Sequence, residues 1–334
     1  MSAKLKDVAK KAGVSITTVS LILNDKPINV SDSTKKAVIQ AAKEVGYIRR
    51  QKVRNIGLML PDLGNLYYME LTRNISLKAQ EAGFNVVIFD SSNSAERELN
   101  NLRSLRRSDL AGLIMGITTT DKNLTKFRPL VQNILDTEQI PIVLLDRNCP
   151  SLNCHSICIN NYYGGHLAAN HLIQLGHKRV GCITGNIDLS ECQERTNGFT
   201  DAFAENQLSF SKDWIVNASF TMDAGYENTQ RLLDQNVTAI FAQNDMIALG
   251  ILHYLKEKKI RVPEDISVVG FDNIPFISMV DLPLTTIAQP IQLMGEKALD
   301  ILLSHPLLGD STDRITITLQ PELVVRSSTA APQK

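Results

Sequence analysis

No run of 18 apolar residues occurs in this 334-residue chain, so no segment has the make-up of a membrane-spanning helix. The first residues, MSAKLKDVAKKAG, carry charge without the apolar stretch of a secretory signal, and the expectation is a cytoplasmic protein. Cysteine is scarce. Cys149, Cys154, Cys158, Cys182 and Cys192 are odd in number and form no CxxC pair, which argues against a disulfide framework and for free thiols. Cys154 beside His155 lacks a second ligand pair at a usable spacing, so no metal is expected, and no cofactor is called for. No GxGxxG or Walker A pattern accompanies the apolar strands, which weighs against nucleotide enzymes. No Ser-His-Asp or Cys-His set stands out either.

Net charge is also missing, with 35 basic and 35 acidic residues, but the balance hides an asymmetry. Residues 1–54 hold twelve Lys or Arg against four Asp or Glu, which leaves 23 basic and 31 acidic side chains for the remainder. A basic head on an acidic body suggests a polyanion partner for the head alone. Length, with 43% apolar and 21% charged residues, implies two or three ordinary globular folding units.

The head reads as three helices. Leu5, Val8, Ala9 and Ala12 lie at helical spacing, and Gly13 suits the left-handed turn that stops a helix. Ser15 is placed to cap a second helix, with Val19, Ile22 and Leu23 as its buried stripe. A third helix starts near Ser31 or Asp32 and ends at Gly46. This is a helix-turn-helix, whose second helix enters the DNA major groove with its N-terminal residues at base edges. Ile16, Thr17, Thr18, Ser20 and Leu21 have no core duty. Thr17 can hydrogen-bond a base or phosphate, and Ile16 and Leu21 can touch a thymine methyl. Lys4, Lys6, Lys10 and Lys11 would add sequence-blind affinity near phosphates.

The body alternates short apolar runs with amphipathic segments. IGLML (56–60), VVIF (86–89), GLIMGI (112–117) and IPIVLLD (140–146) form one series. SICI (156–159), RVGCIT (179–184), TAIFA (238–242) and ISVVGF (266–271) form a second. Such strands belong to parallel sheets covered on both faces, so two doubly wound halves are expected. Ligands of open α/β sheets sit beyond the carboxyl ends of strands. Asp146 and Arg147, Asn244 and Asp245, and Asp272 and Asn273 stand at such ends. Tyr67 and Tyr68 fall in the loop after the first strand, Phe220 in a late loop, and Arg195 opens the RTNGF helix. Singly, each can be a cap or turn residue, and capping is the stronger reading for Asp245. Together they read as a cleft in which carboxylates, amide and arginine pair with sugar hydroxyls and aromatic rings cover apolar sugar faces.

The words DVAKKAGVS, TTVS and ILN, with a third helix ending in GY, resemble the head of the lactose and purine repressor family. GHKRVGCITG, RTNGF, TAIFAQNDMIALG, RVPEDISVVGFDN and PLTTIAQP resemble that family's sensor, so the likeness runs through nearly the whole chain. It implies a helix-turn-helix head at 1–48, a short basic linker at 49–54 and a periplasmic-binding-protein-like sensor at 55–328. The sensor's N-subdomain would span about 55–156 and 290–320, and its C-subdomain about 157–289 and 321–328. It also implies a homodimer on double-stranded operator DNA, contacted by Lys4, Ser15, Ile16, Thr17, Thr18, Ser20, Leu21, Asn24, Arg49 and Arg50. Tyr67, Asp146, Arg195, Phe220, Asn244 and Asp272 align with ligand-contacting positions, with Tyr68 and Arg147 beside them. Leu189 and Glu191 fall in a variable loop that tunes ligand choice, and they do not reproduce the polar and basic groups of the purine repressor. DLSECQERTNGF and Asp146-Arg147 are most similar to the ribose-repressor branch, which makes a small neutral sugar, ribose first, the expected effector.

Other readings stay open at this point. They are a catabolite-control regulator that uses a phosphorylated carrier protein, a sugar receptor without a DNA role, and an enzyme of sugar metabolism. The seam GYIRRQKVRNIGL also departs from the family, which has a proline-asparagine start and an alanine-arginine-x-leucine helix whose leucine wedges the minor groove. From Tyr47 to Ile56 are nine steps, which span at most about 30 Å when extended. Arg49, Arg50, Lys52 and Arg54 would instead follow phosphates or enter a minor groove. Replacing Arg49 and Arg50 together by Ala is expected to weaken binding to all DNA sequences and to lower the salt slope by up to about two units. A slope unchanged in salt titrations would reduce the seam to a spacer.

Overall fold

The computed structural model describes residues 4–23, 26–47, 54–106, 109–119, 124–304 and 314–333. The chain divides into two compact units, Met1–Val53 and Arg54–Lys334.

In the first unit, α1 (Leu5–Ala12), α2 (Ile16–Leu23) and α3 (Asp32–Glu44) follow in quick succession. The Lys4 backbone N–H donates to Asp7 at 2.8 Å at the start of α1. Gly13 ends that helix at φ 67°, a conformation only glycine adopts without strain. Ser15 Oγ accepts from the Thr18 backbone N–H at 3.0 Å, and Ser31 Oγ from that of Thr34 at 3.2 Å, so each following helix begins on a serine cap. Val8, Val19 and Val38 are fully buried where the three helices meet, with Ala9, Ile22, Ala41 and Ala42 around them. Lys11 pairs with Glu44 at 2.7 Å at the surface, with both side chains still half-exposed.

The second unit contains two six-stranded sheets. The first has the order β11-β5-β4-β3-β1-β2, from β1 (Arg54–Leu60), β2 (Phe84–Asp90), β3 (Gly112–Met115), β4 (Ile142–Asp146), β5 (His155–Ile159) and β11 (Thr316–Leu319). The second has the order β12-β10-β9-β8-β6-β7, from β6 (Val180–Thr184), β7 (Ile215–Asn217), β8 (Ala239–Ala242), β9 (Ser267–Asp272), β10 (Thr285–Ala288) and β12 (Glu322–Val324). All pairings are parallel except β10 with β12. The two orders correspond position by position, so β4 in one sheet matches β9 in the other. The helices are α4 (Leu66–Glu81), α5 (Ala95–Ser104), α6 (Leu124–Asn133), α7 (Asn161–Gln174), α8 (Ser190–Glu205), α9 (Met222–Leu233), α10 (Asp245–Glu257) and α11 (Ile291–Ser304). Among the described residues, no helix is long and apolar enough to cross a membrane.

One expectation changes. The sequence places SICI (156–159) in the second series, but β5, which contains it, pairs with β4 and β11 in the first sheet. The chain changes sheets only after Ile159, returns at 289–290, and changes again at 320–321. The five cysteines are free thiols, four of them buried.

Helices α7 and α8 approach each other through glycine. An ideal Cβ on Gly165 would overlap the Arg195 carbonyl, and one on Gly198 would overlap that of Tyr162. This close approach sets the position of the α8 backbone at Arg195. In an exposed helix Gly→Ala stabilises by about 0.5–1 kcal/mol. Gly165→Ala is instead expected to destabilise by about 1–3 kcal/mol or more through overpacking. Chemical denaturation decides by sign, since a gain in stability would contradict the close packing.

Candidate functional site

A cavity of about 260 Å³ lies where the carboxyl ends of both sheets meet. That is slightly below the usual range of ligand pockets, which starts at about 300 Å³. Nine of the residues that the sequence places at an effector site line it: Tyr67, Tyr68, Asp146, Arg147, Glu191, Arg195, Phe220, Asn244 and Asp272.

From the first half come Tyr67, Tyr68, Asp146 and Arg147. Asn65 caps α4 by accepting from the Tyr67 backbone N–H at 3.0 Å, so the two tyrosines occupy the first turn of a helix rather than a loop. Their rings meet edge to face with centroids 5.0 Å apart. Tyr68 Oη donates to Asp146 Oδ2 at 2.9 Å. Tyr67 Oη lies 3.0 Å from Asp146 Oδ1 and 3.2 Å from Gln289 Oε1, and its one proton serves them in turn. Burial, with Asp146 beside them, pushes both phenols well above the usual tyrosine range, so they remain donors. Arg147 Nη1 donates to the Ile117 carbonyl at 2.6 Å.

The second half supplies the rest. Helix α8 begins at Ser190, earlier than expected. Glu191 therefore sits in its first turn and Arg195 inside it, whereas the sequence suggested a loop and a helix start. Arg195 Nε donates to Asn161 Oδ1 at 2.8 Å, Nη1 donates to the Gln243 carbonyl at 2.5 Å, and the guanidinium lies 3.7 Å from the Phe271 ring centroid. Phe220 fits against Gly185, where any Cβ would collide with the ring. Asp272 accepts from Gln289 Nε2 at 2.7 Å. Burial drives the Asp272 carboxyl well up, with Arg195 opposing and the nearby Asp245 adding to it.

Two geometric features mark the site. Asp146 and Asp272, at the ends of the matching strands β4 and β9, hold φ of 73° and 111°. Non-glycine residues rarely adopt such values, and the strain costs about 1–3 kcal/mol each. The second feature is an ion pair across the cleft. Arg147 Nε lies 2.5 Å from Glu191 Oε1, with both side chains almost wholly buried. Neither that nitrogen nor either Glu191 oxygen has an aligned hydrogen-bond partner among the described residues, so the contact is a charge pair. The guanidinium is pushed up: burial is the largest single influence and opposes its charge, but Glu191, Tyr68, Asp146 and Cys192 together outweigh it.

Asp245 is corrected. The cap of α10 is Asn244, which accepts from the Ile247 backbone N–H at 2.8 Å. Asp245 is the first helical residue and lies behind the cavity, where its carboxylate accepts from the Ile274 backbone N–H at 2.9 Å and from the Thr286 hydroxyl at 2.7 Å. The sequence reading missed Gln289, Thr118 and Asn65, which also line the cavity. Gln289 carried a signal, since it follows the short run TTIA just as Asp272 closes ISVVGF.

In the head, Ile16 is 53% exposed and Ser15 and Thr17 are exposed, while Thr18, Ser20 and Leu21 are half-buried on the same short helix. Lys4 is exposed at the start of α1. Asn24, Arg49 and Arg50 lie outside the described residues.

Comparison with known proteins follows the same division. Residues 4–50 match the family described as bacterial regulatory proteins, lacI family, and residues 169–329 match a periplasmic binding protein-like domain. The HTH-type transcriptional regulator DegA of Bacillus subtilis (strain 168) is 34% identical over 346 residues, covering 99% of both chains. The HTH-type transcriptional repressor PurR of Aliivibrio salmonicida (strain LFI1238) is 32% identical over 336 residues, covering 98% of both. Among solved structures, the lac repressor dimer bound to operator and the anti-inducer ONPF superposes with a TM-score of 0.83 at 26% identity, over 99% of this chain and 100% of that one. A LacI family transcriptional regulator from Enterococcus faecium with bound ribose gives 0.74 at 26% identity, over 84% of this chain and 100% of that one.

Proposed function

The chain belongs to the lacI family of bacterial regulatory proteins, and from that premise we propose that it is a cytoplasmic, homodimeric, sequence-specific repressor of a carbohydrate-utilisation operon. Its effector is a small neutral sugar, with ribose first, bound between the two halves of the body. The observation that carries this reading is the convergence on one small cavity of paired carboxylates, guanidiniums and amides with the aromatic faces of Tyr67, Tyr68 and Phe220. Hydroxyls donate and accept in several directions, and such a lining answers both. Asn244 Nδ2 and Thr118 Oγ1 are buried without a partner among the described residues, which suits a ligand rich in hydroxyls. The Enterococcus faecium regulator of known structure has ribose bound, while another relative is the transcriptional repressor PurR. Leu189 and Glu191, which line the cavity here, favour the sugar, because neither offers a basic group to a purine base.

On the DNA side, Ile16, Thr17 and Leu21 of α2 read base edges, Ser15, Thr18 and Ser20 support them, and Lys4, Asn24, Arg49 and Arg50 meet the backbone. Two heads of a dimer would engage half-sites about one helical turn apart. The chain is a regulator rather than an enzyme in this reading, as its relatives are.

Calorimetry with pentoses and hexoses tests the effector site. Arg195→Ala and Asp272→Ala are each expected to weaken sugar binding about ten- to a hundredfold, the cost of removing one partner of a charged hydrogen bond. Basal operator binding should stay largely intact. Wild-type sugar affinity in both variants would overturn the assignment.

A further inference from the structure

Charge in the cavity is unevenly matched. Asp62, Asp146 and Glu191 line it against two guanidiniums, Arg147 and Arg195, with the carboxyl of Asp272 driven by burial toward its neutral form. Both guanidiniums are already engaged. Arg195 spends Nε on Asn161 and Nη1 on the Gln243 carbonyl, and lies against the Phe271 ring. Arg147 spends Nη1 on the Ile117 carbonyl, and Glu191 reaches it from the other half of the body. A phosphate or carboxylate ligand binds where a guanidinium fork offers parallel donors and unbalanced positive charge. Arg147 is the group that could offer both, because its loop follows β4 at the cavity wall. Glu191 opposes that charge at 2.5 Å, and both its oxygens are buried without an aligned hydrogen-bond partner among the described residues.

We propose that Glu191 is a specificity residue that closes this site to anionic ligands, so that the effector is a sugar bearing no phosphate or carboxylate group. In naming a sugar this rests on the reading above, whereas the refusal of anions rests on the Arg147–Glu191 pair alone. The effector so defined is the sugar before phosphoryl transfer, the substrate of a kinase step and not its product. Without Glu191, Arg147 would lose its strongest opposite charge and keep only the weaker influence of Asp146, so an anion would become its natural partner.

The test uses the full chain at fixed ionic strength, with calorimetry and thermal shift for ribose, ribose 5-phosphate and inorganic phosphate. The wild type should bind ribose at least about tenfold more tightly than ribose 5-phosphate, the scale of one charged contact. Glu191→Gln should bind inorganic phosphate and ribose 5-phosphate at least about tenfold more tightly than the wild type does, by the same scale. Its melting temperature should rise with phosphate by mass action. The double variant Glu191→Gln, Arg147→Met should lose that gain, which identifies Arg147 as the anion's partner. If the single variant does not fold, the wild-type preference for ribose over its phosphate still decides. A wild type that takes ribose 5-phosphate as readily as ribose overturns the proposal, and so does a folded Glu191→Gln with no gain for phosphate. If no neutral sugar binds the wild type while Glu191→Gln gains phosphate, the charge filter stands and the sugar reading falls.

Discussion

Parallel strands of one sheet end at a common edge, and in this body the carboxyl edges of two such sheets face a single cavity. The site depends on that constraint. Matching strands in the two halves end in matching carboxylates, Asp146 on β4 and Asp272 on β9, each in a backbone conformation that disfavours an ordinary side chain. The chain's crossings between sheets run close to the same edge. Gln289 stands in the second crossing and bridges the two sides, with Tyr67 from one half at 3.2 Å and Asp272 of the other at 2.7 Å. Asn161, just past the first crossing, holds Arg195. Segments that connect the halves therefore also carry the groups that line the space between them.

Such a site works against stability. Asp146, Arg147, Glu191, Arg195 and Asp272 are all nearly inaccessible. Breaking a buried ion pair by deleting one partner costs about 3–5 kcal/mol, whereas well-packed apolar residues in place of the pair are often neutral or better. A core selected for stability alone would not keep five ionisable groups and two strained turns together. Preorganisation for a polar ligand accounts for them, since donors and acceptors held in place lose little freedom when a ligand arrives.

The strong apolar runs of the body were legible because buried parallel strands need no alternation, and β1, β4 and β9 fall where their runs do. Strands of three or four residues, such as β7, β10 and β12, carry too little pattern to stand out from loops. Sequence order could not reveal that β5 joins the first sheet, because membership depends on where the chain crosses, and the crossing lies one strand later. The cavity residues were legible as polar groups at strand ends. Their alliances were not: the Tyr67 and Tyr68 phenols on Asp146, and Glu191 on Arg147, join residues far apart in the chain. Asn244 and Asp245 illustrate the limit, since either could cap α10 and only the neighbouring Ile274 and Thr286 decide that Asp245 is engaged elsewhere.

A regulator needs its sensor to change what its head does, and coupling requires an element that both sites bias. The seam between Tyr47 and Ile56 lacks the alanine-arginine-x-leucine word, so coupling at the low end of the usual range is expected. The most direct measurement is the affinity of the full chain for its operator with and without saturating ribose, at one salt concentration. The account predicts a reproducible change of up to about fivefold. An operator affinity identical with and without bound sugar would contradict it, and so would a change far larger than fivefold.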